Sequence, residues 1–258
     1  MNNEPSTLVI IATYNEIENL PGLTDQIFRH APHVELLVVD DNSPDGTGRW
    51  CDDRAARDAR FQVIHRSGKL GLGTATVCGL QRAIDRDFEF AVVMDADFSH
   101  PPESVPALLA AMAGDGQGGP VDVMVGSRYV PGGVIRGWPW YRRVMSRLIN
   151  TYARWMLGLS VRDCSGSFRC YRIERLRQID FSQMRSRGYS YLEELLWMLK
   201  RAGARIEEMP ITFVDRQQGQ TKINTREALT ALWLLLRLGI ANHLPMGTGG
   251  DAKDTLKR

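Results

Sequence analysis

Residues 90–97 read Phe-Ala-Val-Val-Met-Asp-Ala-Asp, an apolar run that is followed at once by two carboxylates one residue apart. A short apolar run of this kind is typical of a strand buried on both faces of a parallel sheet. The polar residues after it emerge at the carboxyl end of the strand, where open parallel sheets bind ligands. The segment therefore predicts a strand at Phe90–Met94 and a functional group at Asp95-Ala96-Asp97.

Four other apolar runs in the first half of the chain resemble this one, and helical patterns separate them. The predicted strands are Thr7–Ala12, Val34–Val39, Phe61–His65 and Val121–Val125. The predicted helices are Asn15–His30, Gly46–Ala59, Leu72–Asp87 and Glu103–Met112. This alternation indicates an α/β fold with a mostly parallel central sheet and helices on both faces.

The second half of the chain is less regular. Its predicted elements are the helices Tyr141–Leu157, Tyr189–Arg201 and Arg226–Asn242 and the strand Ile206–Val214. We predict one domain over residues 1–244, which ends in C-terminal amphipathic helices. Residues 245–258 are rich in glycine and charge, which predicts a flexible tail.

Basic residues are concentrated in the middle of the chain, although the whole sequence has a formal net charge of only +2. Between Arg136 and Arg177 there are ten arginines but only two acidic residues, Asp163 and Glu174. Such a segment attracts anions, and the candidates are nucleic acid, anionic lipid and a phosphorylated substrate. No nucleic-acid-binding motif accompanies the charge, so we expect no nucleic-acid partner.

The predicted helix Tyr141–Leu157 combines arginines with large apolar side chains. It can lie at a membrane surface with its cations near lipid phosphates, or pack on the sheet with a solvated basic face. The apolar stretch Ala228–Leu244 falls short of the ~20 apolar residues that a membrane-spanning helix needs, and the N-terminus lacks a secretory signal pattern. We therefore expect a cytoplasmic chain without a transmembrane segment.

The acidic residues at two strand ends indicate different roles. Hard divalent cations favour carboxylate and phosphate oxygens, so Asp95 and Asp97 can hold a metal; alternatively they form a solvated turn that Asp97 caps. Asp41 can accept hydrogen bonds from a ribose or a base. The turn Ala12–Glu16 after the first strand contains no glycine and so lacks the G-x-G-x-x-G motif, which argues against a nicotinamide or flavin enzyme.

A set of motifs in a fixed order resembles the family 2 inverting glycosyltransferases, and among them the dolichol-phosphate (polyprenyl-phosphate) mannosyltransferases of the soluble catalytic-subunit type. The motifs are ATYNE (12–16), DDNSPDGTG (40–48), GLGTA (71–75), DADFSHPPE (95–103), GSRY (126–129), WPWYRR (138–143), SGSFRCYR (165–172), GYSYLEE (188–194) and ITFVDRQQGQTK (211–222). They span nearly the whole chain, and this makes the combination specific.

The resemblance implies a GT-A (Rossmann-like) fold and the inverting transfer of mannose from GDP-mannose to a dolichyl or polyprenyl phosphate, which gives polyprenyl β-D-mannosyl phosphate. It implies a nucleotide-sugar-binding half at residues 1–130 and an acceptor-binding half at 131–244. It also implies a divalent metal, Mg²⁺ or Mn²⁺, and a peripheral position at the cytoplasmic face of a membrane, where small membrane subunits can anchor the chain.

Carried over position by position, the resemblance assigns site residues. It implies that the guanosine part of the donor is bound by Ala12, Tyr14, Glu16, Val39 and Asp41. It implies that the diphosphate and metal are bound by Asp95, Ala96 and Asp97. By the same resemblance, the donor phosphates are bound by Arg128, Arg216 and Lys222. The acceptor phosphate is bound by Arg128, Arg142, Ser146 and Arg216. Ser99 stands where some relatives supply a metal-binding glutamine, so we predict it as the third metal ligand. The predicted catalytic residues are Asp97, Arg128, Arg216 and Lys222.

The need for a catalytic base depends on the acceptor. A phosphate monoester has a second pKa near ~6 and is already an anion at neutral pH, so it requires positioning and charge neutralisation. A hydroxyl acceptor requires a carboxylate base, and for a family 2 enzyme of that kind Glu193 or Glu194 is the candidate. We favour the phosphate acceptor, with Glu194 as a residue that supports the site.

Overall fold

The computed structural model describes residues 4–114, 119–215 and 232–240. In these ranges the strands are β1 (Thr7–Thr13), β2 (Glu35–Asp40), β3 (Phe61–His65), β4 (Phe90–Val93), β5 (Val123–Ser127), β6 (Val134–Arg136), β7 (Arg169–Arg172), β8 (Ile206–Pro210) and β9 (Thr212–Val214). The helices are α1 (Leu20–His30), α2 (Thr47–Ala55), α3 (Leu72–Asp85), α4 (Val105–Ala111), α5 (Trp140–Leu157), α6 (Ile173–Leu176) and α7 (Tyr191–Arg201). Residues 232–240 are also helical.

A mostly parallel sheet forms the centre of the fold. Its strand order is β3-β2-β1-β4-β7-β5-β8, and β7 runs antiparallel to both of its neighbours while the other pairs are parallel. Strands β6 and β9 form a separate parallel pair. The carboxyl ends of β2, β1 and β4 therefore lie side by side at one edge of the sheet.

Hydrophobic cores lie on both faces of the sheet, because successive side chains of a strand point in opposite directions. In β1, Leu8 and Ile10 face α3, α5, α7 and the helix at 232–240, whereas Val9 and Ile11 face α1, α2 and α4. Helix α3 lies very close to β1, since a Cβ atom on Gly79 would collide with Cγ2 of Ile10. The sequence prediction of helices on both faces is confirmed.

The strand predictions for the first half of the chain are confirmed to within two residues. The predicted strand Ile206–Val214 is wrong as one element, because the chain leaves the large sheet at Pro210, which has no N–H to donate, and continues as β9 beside β6. The prediction also missed β7, whose arginines interrupt the apolar pattern. Arg169 is nevertheless fully buried in the structure.

The helix predictions differ from the structure mainly at the ends. Helix α1 begins at Leu20 and not at Asn15, because Asn15 has a φ of 62° in the left-handed region and Pro21 occupies the first helical turn. Of the predicted helix Arg226–Asn242, only residues 232–240 belong to the described part of the chain. Within that part, no helix combines the length and the apolar character that would let it cross a membrane.

Candidate active site

A pocket opens at the carboxyl ends of β1, β2 and β4. Its lining residues are Ala12, Thr13, Tyr14, Glu16, Asp41, Lys69, Leu72, Ala75, Asp95, Ala96, Asp97 and Tyr189. The structure therefore brings together all but one of the residues that were predicted for the donor and metal between positions 12 and 97. The exception is Val39, which pairs with Ala12 across the sheet but buries its side chain in the core.

On the β2 side of the pocket, Asp41 is a buried carboxylate. Its Oδ1 atom lies 3.0 Å from Nη1 of Arg66, and its Oδ2 atom accepts a hydrogen bond from the backbone N–H of Leu70 at 3.3 Å. Burial raises the pKa of Asp41, against the opposing charge of Arg66. Oδ1 is therefore ion-paired with Arg66, although within the described residues the two groups are not aligned as a hydrogen bond. Nearby, the Lys69 ammonium lies 4.7 Å from the centre of the Tyr14 ring.

On the β4 side, two carboxylates occupy a tight loop. Asp97 Oδ1 accepts a hydrogen bond from the backbone N–H of Ser99 at 3.1 Å, and Phe98 between them has a φ of 59°. Asp95 Oδ1 accepts a hydrogen bond from the Ser167 hydroxyl at 2.8 Å. Both aspartates are only half-buried, so their carboxylates are accessible at the edge of the sheet.

This loop fits a hard divalent cation. Its donor set consists of carboxylate oxygens, together with the buried Ser99 hydroxyl, which makes no hydrogen bond within the described ranges. The same ranges contain no group of three His, Cys, Asp or Glu residues that could hold a metal. Mg²⁺ commonly keeps several waters and binds through one or two carboxylates plus substrate phosphates, so a pair of aspartates is sufficient.

Arg128, at the end of β5, is a buried cation whose charge is balanced. Its backbone N–H and Nε donate to Oδ2 of Asp163 at 3.0 and 2.7 Å, and its Nη2 donates to Oδ1 at 2.6 Å. Burial alone would raise the pKa of Asp163, but the charge and hydrogen bonds of Arg128 hold it below its usual value. The guanidinium also lies against the rings of Tyr129, Trp138 and Phe213. Arg128 is therefore fixed in place by a partner that the sequence did not predict.

Two other predicted acceptor residues, Arg142 and Ser146, lie on one face of α5. Arg142 donates two hydrogen bonds from Nη1 to the Asp215 carboxylate at 3.0 and 3.1 Å, and its guanidinium stacks 4.2 Å from the centre of the Trp138 ring. One turn later, Ser146 Oγ accepts a hydrogen bond from the Tyr129 hydroxyl at 2.6 Å. The structure thus groups Arg142 and Ser146 with Arg128, because all three contact Tyr129 or Trp138. Arg216 and Lys222 lie outside the described residues.

An aromatic cluster connects the metal loop with this basic side. His100 stacks on Phe168 and contacts Phe213, with ring centres 5.4 and 5.8 Å apart. Phe213 in turn contacts Trp138 at 5.3 Å. His100 Nδ1 accepts a hydrogen bond from the backbone N–H of Asp95 at 3.1 Å, which requires a neutral ring, and burial lowers the pKa of His100. Packed rings therefore connect the carboxylate loop with the side that holds Arg128 and Arg142, although neither arginine lines the pocket itself.

The two candidate base residues lie beneath the site and not at its opening. Glu194 is 1% exposed, and its two carboxylate oxygens accept hydrogen bonds from the backbone N–H groups of Arg185 and Ser186 at 3.0 and 2.7 Å. Glu193 is 6% exposed, and burial raises its pKa to about 7, although the nearby Arg169 acts to lower it. Glu194 thus stabilises the loop at Arg185 and Ser186, which precedes the pocket-lining residue Tyr189.

Sequence reasoning missed several residues that hold the site together. They are Lys69, His100, Asp163, Ser167, Asp215 and Tyr189. Four of them stand inside recognised motifs: His100 in DADFSHPPE, Ser167 in SGSFRCYR, Tyr189 in GYSYLEE and Asp215 in ITFVDRQQGQTK. A signal was therefore present, but only the fold reveals which atoms these side chains contact.

Comparison with known proteins agrees with this geometry. The family model "Glycosyl transferase family 2" matches residues 8–180. Polyprenol monophosphomannose synthase of Mycolicibacterium smegmatis is 42% identical over 244 residues, which cover 94% of this chain and 90% of that protein. Undecaprenyl-phosphate mannosyltransferase of Micrococcus luteus is 42% identical over 246 residues, which cover 90% of this chain and 99% of that protein.

Solved structures share the fold at lower sequence identity. Glucosyl-3-phosphoglycerate synthase of Mycobacterium tuberculosis, in complex with Mn²⁺, UDP and glucosyl-3-phosphoglycerate, superposes with a TM-score of 0.59 at 22% identity. The match covers 92% of this chain and 78% of that one. The same enzyme with Mn²⁺, UDP-glucose and phosphoglyceric acid gives a TM-score of 0.63 at 19% identity. The predicted GT-A fold is confirmed, and the chain belongs to glycosyl transferase family 2, in the group that includes the polyprenyl-phosphate mannosyltransferases.

Proposed function

We propose that this chain transfers a mannosyl group from GDP-mannose to a polyprenyl phosphate, with inversion at the anomeric carbon. The names of its two 42% identical relatives support the sugar and the acceptor. The observation that carries the proposal is a single site with a carboxylate pair on one side and arginines on the other. Such a site suits two substrates that both contain phosphate.

The donor half of the proposal rests on the pocket at the ends of β1, β2 and β4. Asp41 Oδ1 is ion-paired with Arg66 but receives no aligned hydrogen bond in the described residues, so it can accept one from a ligand. Guanine offers adjacent N–H groups that can donate to such a carboxylate. Asp95, Asp97 and Ser99 would hold Mg²⁺ or Mn²⁺, which when bound neutralises charge on the departing diphosphate. The rest of the proposed guanosine site is lined by Ala12, Tyr14 and Glu16.

The acceptor half rests on the arginines. The guanidinium of Arg142 presents a fork of N–H donors to a phosphate, and Ser146 adds a hydroxyl on the same face of α5. Asp163 and Asp215 are both ion-paired with arginines, so neither is an available base. Arg216 and Lys222 complete the proposed phosphate contacts by resemblance. Arg128 is proposed to attract the phosphates by its positive charge, and Asp163 fixes the position of that charge.

The chemistry then proceeds without a base. A non-bridging oxygen of the acceptor phosphate forms a bond to the anomeric carbon, and the bond from that carbon to the donor diphosphate breaks. GDP leaves with the electron pair. The acceptor arrives as an anion, so no proton has to be removed from the attacking oxygen. The protein's contribution is to align the two phosphates and to reduce the repulsion between them.

The division of the domain into a donor half at residues 1–130 and an acceptor half at 131–244 is part of this proposal. The donor-pocket residues up to Asp97 lie in the first half, and Arg142 and Ser146 lie in the second. Tyr189 is an exception to this division, because it lies in the second half of the chain but lines the donor pocket. The tail predicted at 245–258 is outside the described residues.

We also propose that one face of α5 lies on the membrane that contains the acceptor. Trp140 and Trp155 are 76% and 73% exposed, and the apolar side chains of Tyr141, Val144, Met145, Leu148 and Ile149 are exposed between them. The helix at 232–240 adds Leu232, Trp233, Leu236 and Ile240. Helix α5 also carries Arg143, Arg147 and Arg154, whose charge complements anionic lipid.

The transfer reaction tests the proposed function directly. Purified protein with Mn²⁺ or Mg²⁺ and a polyprenyl phosphate is expected to form lipid-linked mannose from GDP-mannose, and not lipid-linked glucose from UDP-glucose. Asp97→Ala is expected to lower the rate by about 10²-fold or more, because charge stabilisation at the leaving diphosphate is lost. The exposed Asp180→Ala serves as the matched control with an unchanged rate. Transfer of mannose to a hydroxyl acceptor alone would contradict the proposal.

Replacing each of the two buried glutamates by glutamine is expected to change the free energy of unfolding differently. Glu193 has a folded-state pKa of about 7, above its unfolded value, so its contribution to stability is present at pH 4 and lost as the pH rises through 7. Glu193→Gln removes this loss and is expected to be more stable than the wild type at pH 8 by ~2–3 kcal/mol, but not at pH 5. Urea unfolding at both pH values measures the difference.

Glu194→Gln is the comparison, because it places an amide group against the backbone N–H groups of Arg185 and Ser186. It is expected to be less stable by ~1–3 kcal/mol at both pH values. Neither variant is expected to show the ~10²–10⁴-fold loss of rate that removal of a general base causes. A loss of that size in Glu193→Gln, without a stability change, would favour the hydroxyl-acceptor alternative.

Membrane attachment is tested by sedimentation with vesicles of phosphatidylglycerol and phosphatidylcholine. Leu148→Ser, on the exposed face of α5, is expected to lower the vesicle partition coefficient by about tenfold, since burial of a leucine side chain contributes ~1.5 kcal/mol or more. Leu70→Ser is the control, because Leu70 is comparably exposed, at 53% against 59%, but lies away from α5. Equal binding of both variants would contradict the membrane proposal and assign this face to a protein partner, such as a small membrane-anchoring subunit.

A further inference from the structure

The loop between α5 and β7 contacts both charged sides of the site. Asp163 in the middle of this loop holds Arg128, and Ser167 near its end donates a hydrogen bond to Asp95. The loop is closely packed, since a Cβ atom on Gly166 would stand 3.2 Å from Oδ1 of Asp163. A short segment 72 residues away from Asp95 along the chain therefore determines where that carboxylate lies.

The two carboxylates of the metal loop are held in different ways. Asp97 Oδ1 accepts a hydrogen bond from the backbone N–H of Ser99, in its own loop. Asp95 Oδ1 accepts a hydrogen bond from the hydroxyl of Ser167, which is a nearly buried side chain in a different element. The backbone of Asp95 is tied separately, by its N–H bond to His100 Nδ1. Loss of the Ser167 hydroxyl would thus release the carboxylate of Asp95 without releasing its backbone.

This arrangement affects a metal ligand in a specific way. A hydroxyl that donates to one carboxylate oxygen restricts the rotation of the group and leaves Oδ2 in a defined direction. Groups that hydrogen-bond to a metal ligand typically change metal affinity by ~10–100-fold when they are removed. The aromatic stack of Phe168 on His100 keeps Ser167 and the Asp95 backbone in register, because Phe168 follows Ser167 directly.

We propose that Ser167 is a positioning residue for Asp95, and that its hydroxyl sets the affinity of the site for the divalent cation. The inference rests on the proposed metal role of Asp95 and Asp97. Ser167 itself does not touch the cation; it acts through the carboxylate that does.

The test measures metal binding in the full chain without turnover. Free Mn²⁺ is followed by electron paramagnetic resonance while protein is added in the presence of GDP. Ser167→Ala is expected to raise the dissociation constant for Mn²⁺ by about tenfold or more. Ser167→Thr keeps the hydroxyl and is expected to bind as the wild type does. Ser167→Cys keeps the side-chain size but has only a weak donor, so it is expected to resemble Ser167→Ala.

Ser182→Ala is the matched control. It removes a hydrogen bond of the same type, from the Ser182 hydroxyl to Asp180 Oδ1 at 2.6 Å, at an exposed position on another loop. Its Mn²⁺ affinity is expected to equal that of the wild type. In transfer assays, Ser167→Ala is expected to require more Mn²⁺ for half-maximal rate and to regain most of its kcat at saturating Mn²⁺. A purely structural defect would not be corrected by added metal.

The outcomes separate this inference from the function on which it rests. Wild-type Mn²⁺ affinity in both Ser167→Ala and Ser167→Cys overturns the role of Ser167 and leaves the proposed transfer reaction intact. A wild-type chain that binds no Mn²⁺ in the presence of GDP overturns the metal assignment and this inference with it. A shift in affinity that Ser167→Thr does not restore also contradicts the role of the hydroxyl.

Discussion

The constraint on which the rest of the structure depends is the pair of carboxylates at the end of β4, a buried strand near the middle of the sheet. Asp95 and Asp97 follow β4 closely, and the neighbouring strands β1 and β2 bring Glu16 and Asp41 to the same edge. Accessible carboxylates at one edge of a sheet favour a bound cation. A site with this charge is suited to a metal together with a diphosphate, and it requires fixed positive charge on the opposite side.

That positive charge is provided by arginines whose positions are fixed by acidic partners. Asp163 holds Arg128 through three hydrogen bonds, and Asp215 holds Arg142 through two. Removing one partner of a buried pair such as Arg128–Asp163 leaves an uncompensated charge, which is strongly unfavourable. The pairs therefore act less as a source of net stability than as a means of keeping cations in place before the substrates bind. This preorganisation is what a reaction between two anionic groups requires.

The sequence predicted the features that depend on local pattern. Apolar runs such as Phe90–Met94 gave the parallel strands, and the residues after each run gave the edge where the pocket lies. It did not predict β7, because Arg169 and Arg172 break the apolar pattern and only the surrounding sheet explains their burial. Contacts between distant segments, such as that of Ser167 with Asp95, also could not be predicted from the local sequence pattern. Specific roles for Arg142 and Ser146 came from family resemblance, and the structure groups them with Arg128.

The central claim is that Asp95 and Asp97 bind a divalent cation next to the donor diphosphate. The most direct measurement is a crystal structure of the chain with GDP-mannose and Mn²⁺, with the metal located by its anomalous scattering. We expect one Mn²⁺ peak within coordination distance of oxygens from Asp95 or Asp97 and of both donor phosphates. A donor bound in the pocket with Mn²⁺ elsewhere, or a donor bound away from the ends of β1 and β4, would contradict it.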